Sequence, residues 1–504
     1  MLKFVKIGFD AVFIELIIFA FVVCLAYFFL FKGIKINKKL RIGLGLFLVL
    51  INGYIIFNND FRVHKLQYLT GLNAEGLSRR QQYNYDHNGF IAGFFVNIGN
   101  VNIKKPANYN EKTINELVQK YSKVGNNSEI KKPNVIFILS ESFWDITQLP
   151  NVSFSSNPII NFNEIKKNST TGNFISPTFG GKTALVEFEI LTGNSIKYLP
   201  FGSIPYQQYI KKPVLSVVQE FRKNGYQTLA LHTFEKIFFN RVGAYPFLGF
   251  DKFIGIEDLK NPKYKGPFVS DEEFTDQVIN NFKNKDLTKP LFLLGITMQN
   301  HFTYEGEKYK NLEIKTTGTG ISAKSINILN NYSQGIMDAD KQLGRLIKFL
   351  KEQKEPTIVV FFGDHLGSMG ENYLTYKETG FISPKENNNG ADEENKKMYS
   401  TEFLIWNNYS QKQENKNIGN IGATYFGNYL LDYIGFQNKN PYYNYLSDEY
   451  NNCVQANSEQ ILLDKNGSFV LDISTLGDNC KDIDNIHNLF QYDILFGGNF
   501  NGKW

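Results

Sequence analysis

Four apolar runs of this sequence end in residues that can hold a cation or move a proton. NVIFILS leads into Ser140-Glu141-Ser142, and YQTLALHT ends in His232-Thr233. KPLFLLGITMQNH ends in Asn300-His301, and PTIVVFFGDHLG breaks at Asp364-His365. An acid next to an imidazole is a good donor pair for a divalent cation, and the other histidines are natural acid–base groups. Read singly, each is equally a polar turn, with Asp364 capping a helix. As a set, three of the six histidines with two carboxylates at run ends point to one site.

The stretch SPTFGGKTALVEFEILTGNS, residues 176–195, adds a hydroxyl. Its GGKT resembles the close of a phosphate-binding P-loop, but that pattern needs a glycine where Ser176 stands, so a nucleotide hydrolase is not supported. Gly180 and Gly181 permit a tight turn, and Thr183 then opens the helix TALVEFEILTG. A hydroxyl at a helix N-terminus sits in positive potential, which favours its alkoxide and any bound phosphoryl oxygens. Thr183 also suits a plain N-cap, and Glu187 one turn later either shares its face or is solvated.

The elements that must carry these residues alternate. After PNVIFILS come a helix in KPVLSVVQEFRKNG, a strand in YQTLALHT, a helix in TDQVINNFKNK and a strand in KPLFLLGITMQNH. The long helix NNYSQGIMDADKQLGRLIKFLKEQ then leads into PTIVVFFG, followed by a strand in KKMYSTEFLIWN and a helix in ATYFGNYLLDYIG. Unbroken apolar strands alternating with helices predict an α/β fold with a mostly parallel central sheet sandwiched by helices. In such a sheet the carboxyl ends of the strands meet along one edge, where ligands bind.

The 504 residues allow more than one domain. Aromatics at 15% and charged residues at 20% are globular values, and a net charge of +5 with no dense basic run argues against nucleic acid as a partner. None of the cysteines Cys24, Cys453 and Cys480 forms a CxxC, and whether Cys453 pairs with Cys480 is left open. AVFIELIIFAFVVCLAYFFLF, residues 11–31, would rise about 31 Å as a helix at ~1.5 Å per residue, enough to span a bilayer. IGLGLFLVLINGYIIF, residues 42–57, is a shorter second span. The lysines and arginine between them place that loop in the cytoplasm and everything after residue 58 outside. The expected organisation is a membrane anchor over 1–57, an extracytoplasmic connector over 58–129 and a catalytic domain over 130–440. A small C-terminal subdomain then covers 441–504.

NVIFILSESFWD, GGKTALVEFEILTG, FFNRVGAYPFLGFDKF, TMQNHFTY and FFGDHLG occur in this order. Together they resemble the extracellular phosphoglycerol transferases of the alkaline phosphatase/sulfatase superfamily, lipoteichoic acid synthases most closely. The resemblance covers about residues 88–440, and QYDILFGGNF also looks like that group's tail. It implies an alkaline phosphatase/sulfatase-like fold and one divalent metal, Mn²⁺ first with Mg²⁺ or Zn²⁺ as alternatives. Glu141, Thr183, Asp364 and His365 would hold it. Thr183 would be the nucleophile, His232, Phe239, Arg241 and His301 would line the glycerol-phosphate pocket, and His301 would also serve as acid or base. Metal coordination makes a threonine hydroxyl a usable nucleophile, and a guanidinium such as Arg241 can grip phosphate with two prongs.

Two positions depart from the pattern: Phe234 stands where the synthases have an aspartate, and Phe239 where they have a tryptophan. Two spans are expected here, against five in lipoteichoic acid synthase. The expected activity is transfer of glycerol phosphate from phosphatidylglycerol to an extracellular glycan or polyglycerolphosphate, by a multi-pass protein of the cell membrane. A sulfatase is disfavoured because Thr183 is followed by Ala184-Leu185-Val186-Glu187 rather than the oxidation signature. A phosphoethanolamine transferase on the same fold would be expected to have more cysteines. A non-catalytic glycerophosphate-binding relative would be expected to lack a metal ligand, and none is missing.

Overall fold

Eight strands form the main sheet: β1 (Asn134–Ser140), β2 (Thr170–Ile175), β3 (Gln227–His232), β4 (Lys252–Ile254), β5 (Leu291–Ile296), β6 (Thr357–Gly363), β7 (Ser400–Asn407) and β8 (Lys416–Gly422). Their spatial order is β8-β2-β7-β6-β1-β5-β3-β4. Only β7 runs against its neighbours; every other pairing is parallel. The predicted α/β class with a mostly parallel sheet therefore holds. This computed structural model describes residues 103–122, 132–383, 391–410 and 416–500, with scattered positions between 37 and 54. The apolar stretch at 11–31 and most of 42–57 lie outside the described residues. Among the described residues no helix is long and apolar enough to cross a membrane. The chain divides into two compact units, Met1–Lys104 with Leu199–Ser203, and Lys105–Tyr198 with Ile204–Trp504; every element below belongs to the second.

The helices that matter are α1 (Glu111–Tyr121), α2 (Thr183–Thr192), α3 (Val217–Lys223), α4 (Arg241–Leu248), α5 (Asp271–Lys283), α6 (Ala323–Lys351), α7 (Ala423–Ile434), α8 (Pro441–Asn452) and α9 (Ile483–Leu495). Successive strand side chains point to opposite faces, so a strand covered on both sides must be apolar throughout. β1 is buried at all seven positions for this reason. Its Ile136 and Ile138 join one core with Phe274 and Val278 of α5 and Ile328, Ile336 and Leu343 of α6. Its Phe137 faces the other way, against Phe426 of α7. There the Phe426 ring also meets Phe174 of β2, Phe362 of β6 and Phe403 of β7. On the same side Phe221 of α3 stacks on Phe292 of β5, with centroids 4.2 Å apart.

β2 and β8 were not legible as strands, because TTGNFI and KNIGNIG contain no apolar run. They are strands because of what surrounds them. A Cβ on Gly172 of β2 would lie 2.5 Å from the Gly419 carbonyl oxygen and 2.7 Å from the Phe403 ring. The third strand is also shorter than predicted. β5 stops at Ile296, and Thr297–His301 continues beyond the sheet as a loop.

The C-terminal segment steadies the far end of α2. The side chain of Gln491 in α9 accepts from the Ser195 amide at 2.7 Å and donates to the Ser195 carbonyl at 3.0 Å. Tyr442 of α8 donates to the Gly193 carbonyl at 2.6 Å. Cys453 and Cys480 form a disulfide between α8 and the approach to α9.

Phe426 contacts four rings from four strands, so its loss leaves a void that none of them can fill alone. Phe426→Ala should lower unfolding free energy by about 3–5 kcal/mol, measured as a fall in the denaturant midpoint at unchanged slope.

Candidate active site

The carboxyl ends of β1 and β6 lie side by side, with Ser140 opposite Gly363 in register. The chain then turns at Ser142, whose φ is 53°. This turn packs directly on Gly363, where a Cβ would sit 1.7 Å from the Phe143 carbonyl oxygen. Only glycine permits that approach, and it is what places Glu141 next to Asp364 and His365. The Ser142 amide donates to Asp364 Oδ1 at 2.8 Å, and its hydroxyl to Glu141 Oε1 at 2.9 Å. Tyr332 of α6 donates to the Ser142 carbonyl at 2.6 Å and fixes the turn from above.

Glu141, Asp364 and His365 are 2%, 0% and 1% exposed. They offer three donor atoms that all lie within 4.8 Å of one another. His365 Nδ1 lies 3.0 Å from the Leu366 carbonyl oxygen. A carbonyl only accepts, so Nδ1 carries a proton, and Nε2 faces Asp364 Oδ2 at 3.1 Å. Apart from facing each other, Asp364 Oδ2 and His365 Nε2 are buried without a hydrogen-bond partner. Buried polar atoms are rarely left so, and two of them beside a second carboxylate fit a divalent cation. Burial raises the Asp364 carboxyl above the usual carboxylate range, the repulsion of Glu141 adds to this, and His365 opposes it.

Thr183 meets this group from α2. Gly180, Gly181 and Lys182 precede it with φ values of 68°, 146° and 66°. Three consecutive positive φ values fold the loop back so that the helix starts at Thr183. The Gly180 amide is held by the Leu366 carbonyl at 3.1 Å, next to the Asp364-His365 pair. Thr183 Oγ1 is 6% exposed as a residue and lies 3.4 Å from Glu141 Oε2. Lys182 occupies the N-cap and makes no side-chain cap bond, so Thr183 is not a cap. Its hydroxyl, at the positive end of the helix, points to Glu141 instead of capping.

One turn along α2, Glu187 is fully buried and not solvated. Arg241, the first residue of α4, is 1% exposed and donates from Nε to Glu187 at 3.1 and 3.2 Å. Tyr245 adds a hydroxyl bond to the same carboxylate at 2.7 Å. Residues i and i+4 share a helix face, so the helix that presents Thr183 also pins Arg241. The neighbouring carboxylate raises the guanidinium pKa further. Sequence reading placed Arg241 in a pocket but missed Glu187 as its partner; the spacing from Thr183 was the available signal.

His232 and His301 complete the group. Nδ1 of His232 lies 3.2 Å from the Ile296 carbonyl, and its buried Nε2 has no partner. Burial first, then the positive charge of Arg241, hold its pKa well below the usual histidine value, so it is neutral. His301 is half-buried, stacked on Phe302 at 4.4 Å and edge-on to Phe268 at 5.6 Å. Its Nδ1 faces the Phe302 carbonyl at 2.9 Å, which leaves Nε2 available. The two departing positions belong to one aromatic wall. Phe234 touches His232, Phe238 and Phe268, and Phe239 packs on Phe238 with the Arg241 guanidinium 5.5 Å from its ring centre.

A buried cluster of possible cation ligands lies at the carboxyl edge of a mostly parallel sheet, with a helix-borne hydroxyl beside it, in an α/β fold of alkaline phosphatase type. The sulfatase family profile matches residues 133–436, and the chain belongs to that family. A Rhizobium meliloti (strain 1021) protein named for a provisional role in cyclic β-1,2-glucan modification is 34% identical over 421 residues, 83% of this chain and 63% of its own. The lipoteichoic acid synthase-like YvgJ of Bacillus subtilis (strain 168) is 28% identical over 249 residues, 47% of this chain and 37% of its own. The chain thus spans less than two thirds of the length of these relatives. Among solved structures, the Streptococcus pyogenes phosphoglycerol transferase GacH bound to sn-glycerol-1-phosphate shares the fold. Its TM-score is 0.61 at 24% identity, over 80% of this chain and 97% of that one.

Two outcomes follow from this geometry. Glu187→Gln leaves the buried guanidinium without its counter-charge and should cost about 3–5 kcal/mol of stability, read as a drop in Tm. Because the Asp364 carboxyl is raised in the metal-free protein, a cation must displace its proton. Mn²⁺ affinity should therefore weaken as pH falls and strengthen as pH rises through the Asp364 pKa. Calorimetry in buffers of different ionisation enthalpy should register about one proton released per ion bound.

Proposed function

We propose that the chain is a membrane-anchored phosphoglycerol transferase that moves glycerol phosphate from phosphatidylglycerol to an extracytoplasmic glycan or polyglycerolphosphate. The observation that carries this reading is the Thr183 hydroxyl, 3.4 Å from Glu141 within the Glu141–Asp364–His365 group. It is supported by relatives named for lipoteichoic acid synthesis and for glucan modification, and by the bound ligand of the Streptococcus fold neighbour. The apolar stretches at 11–31 and 42–57 supply the anchor, and a Cys453–Cys480 disulfide suits an extracytoplasmic compartment.

Glu141, Thr183, Asp364 and His365 would hold one divalent ion, Mn²⁺ in this proposal with Mg²⁺ or Zn²⁺ as alternatives. When bound, the ion supplies Lewis acidity that lowers the Thr183 hydroxyl pKa and offsets phosphoryl charge. Arg241, fixed by Glu187, binds the phosphate, and neutral His232 accepts from a glycerol hydroxyl through its bare Nε2. Phe239 forms the apolar side of the head-group site. In the first half-reaction Thr183 Oγ1 gives its proton to solvent and forms a bond to phosphorus. The phosphorus–oxygen bond to diacylglycerol breaks, and that oxygen takes a proton from His301 Nε2. In the second, an acceptor hydroxyl gives its proton to the now neutral His301 and attacks phosphorus, and the Thr183 oxygen leaves and takes a proton back from solvent. Placing these groups before reaction, rather than new binding, is where most of the rate gain arises.

Wild-type protein in phosphatidylglycerol vesicles should release diacylglycerol, and Thr183→Ala should lose at least about 10³-fold in rate while still binding Mn²⁺. Excess EDTA should stop turnover, and added Mn²⁺ should restore it. Equal release by wild type and Thr183→Ala would sink the nucleophile assignment. No release by the metal-loaded wild type would favour a non-catalytic binding role.

A further inference from the structure

His301 sits beyond the end of its strand, on a loop that the sheet does not hold. β5 ends at Ile296, yet three consecutive carbonyls of the loop are each held by a side chain from a short following stretch. Tyr309 donates to the Gln299 carbonyl at 3.1 Å, and Tyr304 to the Asn300 carbonyl at 2.8 Å. The Nζ of Lys308 donates to the carbonyl of His301 itself. Two of the three anchors are neutral hydroxyls, and the one beneath His301 is a cation.

Lys308 is an unusual anchor. The residue is 8% exposed, and among the described residues no carboxylate lies within ion-pairing distance of its Nζ. The ammonium instead lies among rings, 4.7 Å from the centre of Tyr304, 5.5 Å from Tyr309 and 5.7 Å from Phe268. Phe268 is also the ring against which the His301 imidazole rests. Burying a cation against aromatic faces and one carbonyl, with no carboxylate in ion-pairing contact, costs stability, and a methionine would fill the same space more cheaply. Its burial lowers the ammonium pKa to about 7, with the charges of Glu141 and Asp271 opposing the shift. A stability-neutral role would not call for a lysine here; a fixed His301 does.

We propose that Lys308 is a positioning residue for His301, holding its carbonyl so that the imidazole Nε2 stays aimed into the site. This inference rests on the transfer reading above, in which His301 moves the proton of the leaving and entering oxygens. A displacement of ~1 Å in such a group can cost about 10²-fold in rate. Lys308 feels the charge of Glu141 but makes no hydrogen bond to the groups that would hold the cation; its donor bond goes to the His301 carbonyl.

Full-length, Mn²⁺-loaded protein tests this with Lys308→Met, which keeps the apolar stem, and Lys308→Arg, which keeps a cationic donor. Lys308→Met should lower kcat for diacylglycerol release by about 10–100-fold with KM and Mn²⁺ affinity unchanged within about two-fold. Lys308→Arg should recover most of the loss. The ¹⁵N imidazole resonances of His301, assigned with His301→Gln, should shift in Lys308→Met and stay near wild type in Lys308→Arg. Unchanged kcat with unchanged His301 resonances in Lys308→Met would overturn the proposal, as would an Arg variant as slow as the Met variant. If Lys308→Met does not fold, Lys308→Gln, uncharged but able to donate, carries the same comparison. The resonances need no substrate. A wild type that leaves phosphatidylglycerol intact therefore overturns the transfer reading, while the spectra still decide the role of Lys308.

Discussion

Two carboxylates, Glu141 and Asp364, are held side by side where water scarcely reaches them, and much of the site follows from that placement. Like charges in a dry interior repel strongly, so the arrangement persists only because the backbone imposes it. Gly363 is the enabling residue, since the Phe143 carbonyl occupies the space its side chain would need. The Ser142 amide and hydroxyl then bridge the two acids. A pair of carboxylates with an imidazole beside them would be stabilised by a cation, and Asp364 Oδ2 and His365 Nε2 have no hydrogen-bond partner beyond facing each other at 3.1 Å. The fold thus carries a local instability that a ligand relieves, as is common where structure serves function.

Helix α2 links this centre to the rest of the site. Its first residue, Thr183, reaches Glu141, and its fifth, Glu187, grips Arg241. A rigid helix therefore sets the spacing between a hydroxyl and a guanidinium that come from distant parts of the chain. Both ends of the helix are secured. The left-handed turn at 180–182 fixes the first, and Gln491, Tyr442 and the Gly193-Ser195 backbone fix the second. The C-terminal segment, though far from the cation site, thereby takes part in placing it.

The residues proposed to recognise a head group belong to a softer part of the molecule. Phe234, Phe238, Phe268 and Phe302 form a half-exposed aromatic wall around His232 and His301. The loop beyond β5 lacks sheet hydrogen bonds and relies on Tyr304, Lys308 and Tyr309 for its shape. Such a region can vary in sequence without disturbing the centre. The two departures from the synthase pattern, Phe234 and Phe239, fall here and not among Glu141, Thr183, Asp364 and His365.

The strands that carry chemistry were readable in the chain because a strand buried on both faces must be apolar throughout, and its end is marked by the first polar residues. That rule alone located Glu141, His232 and Asp364-His365, and ordered motifs pointed to the family that the profile match establishes. β2 and β8 were not readable, because Thr, Gly and Asn become strands there only through close packing on Phe403 and Gly419. The roles of Ser142, Tyr332 and Lys308 were hidden as well, and the spacing of Glu187 from Thr183 did not name Arg241 as its partner. Each acts on a residue that the sequence places elsewhere, and pairing of that kind is set by how strands and helices come together, which composition and spacing along one chain do not encode.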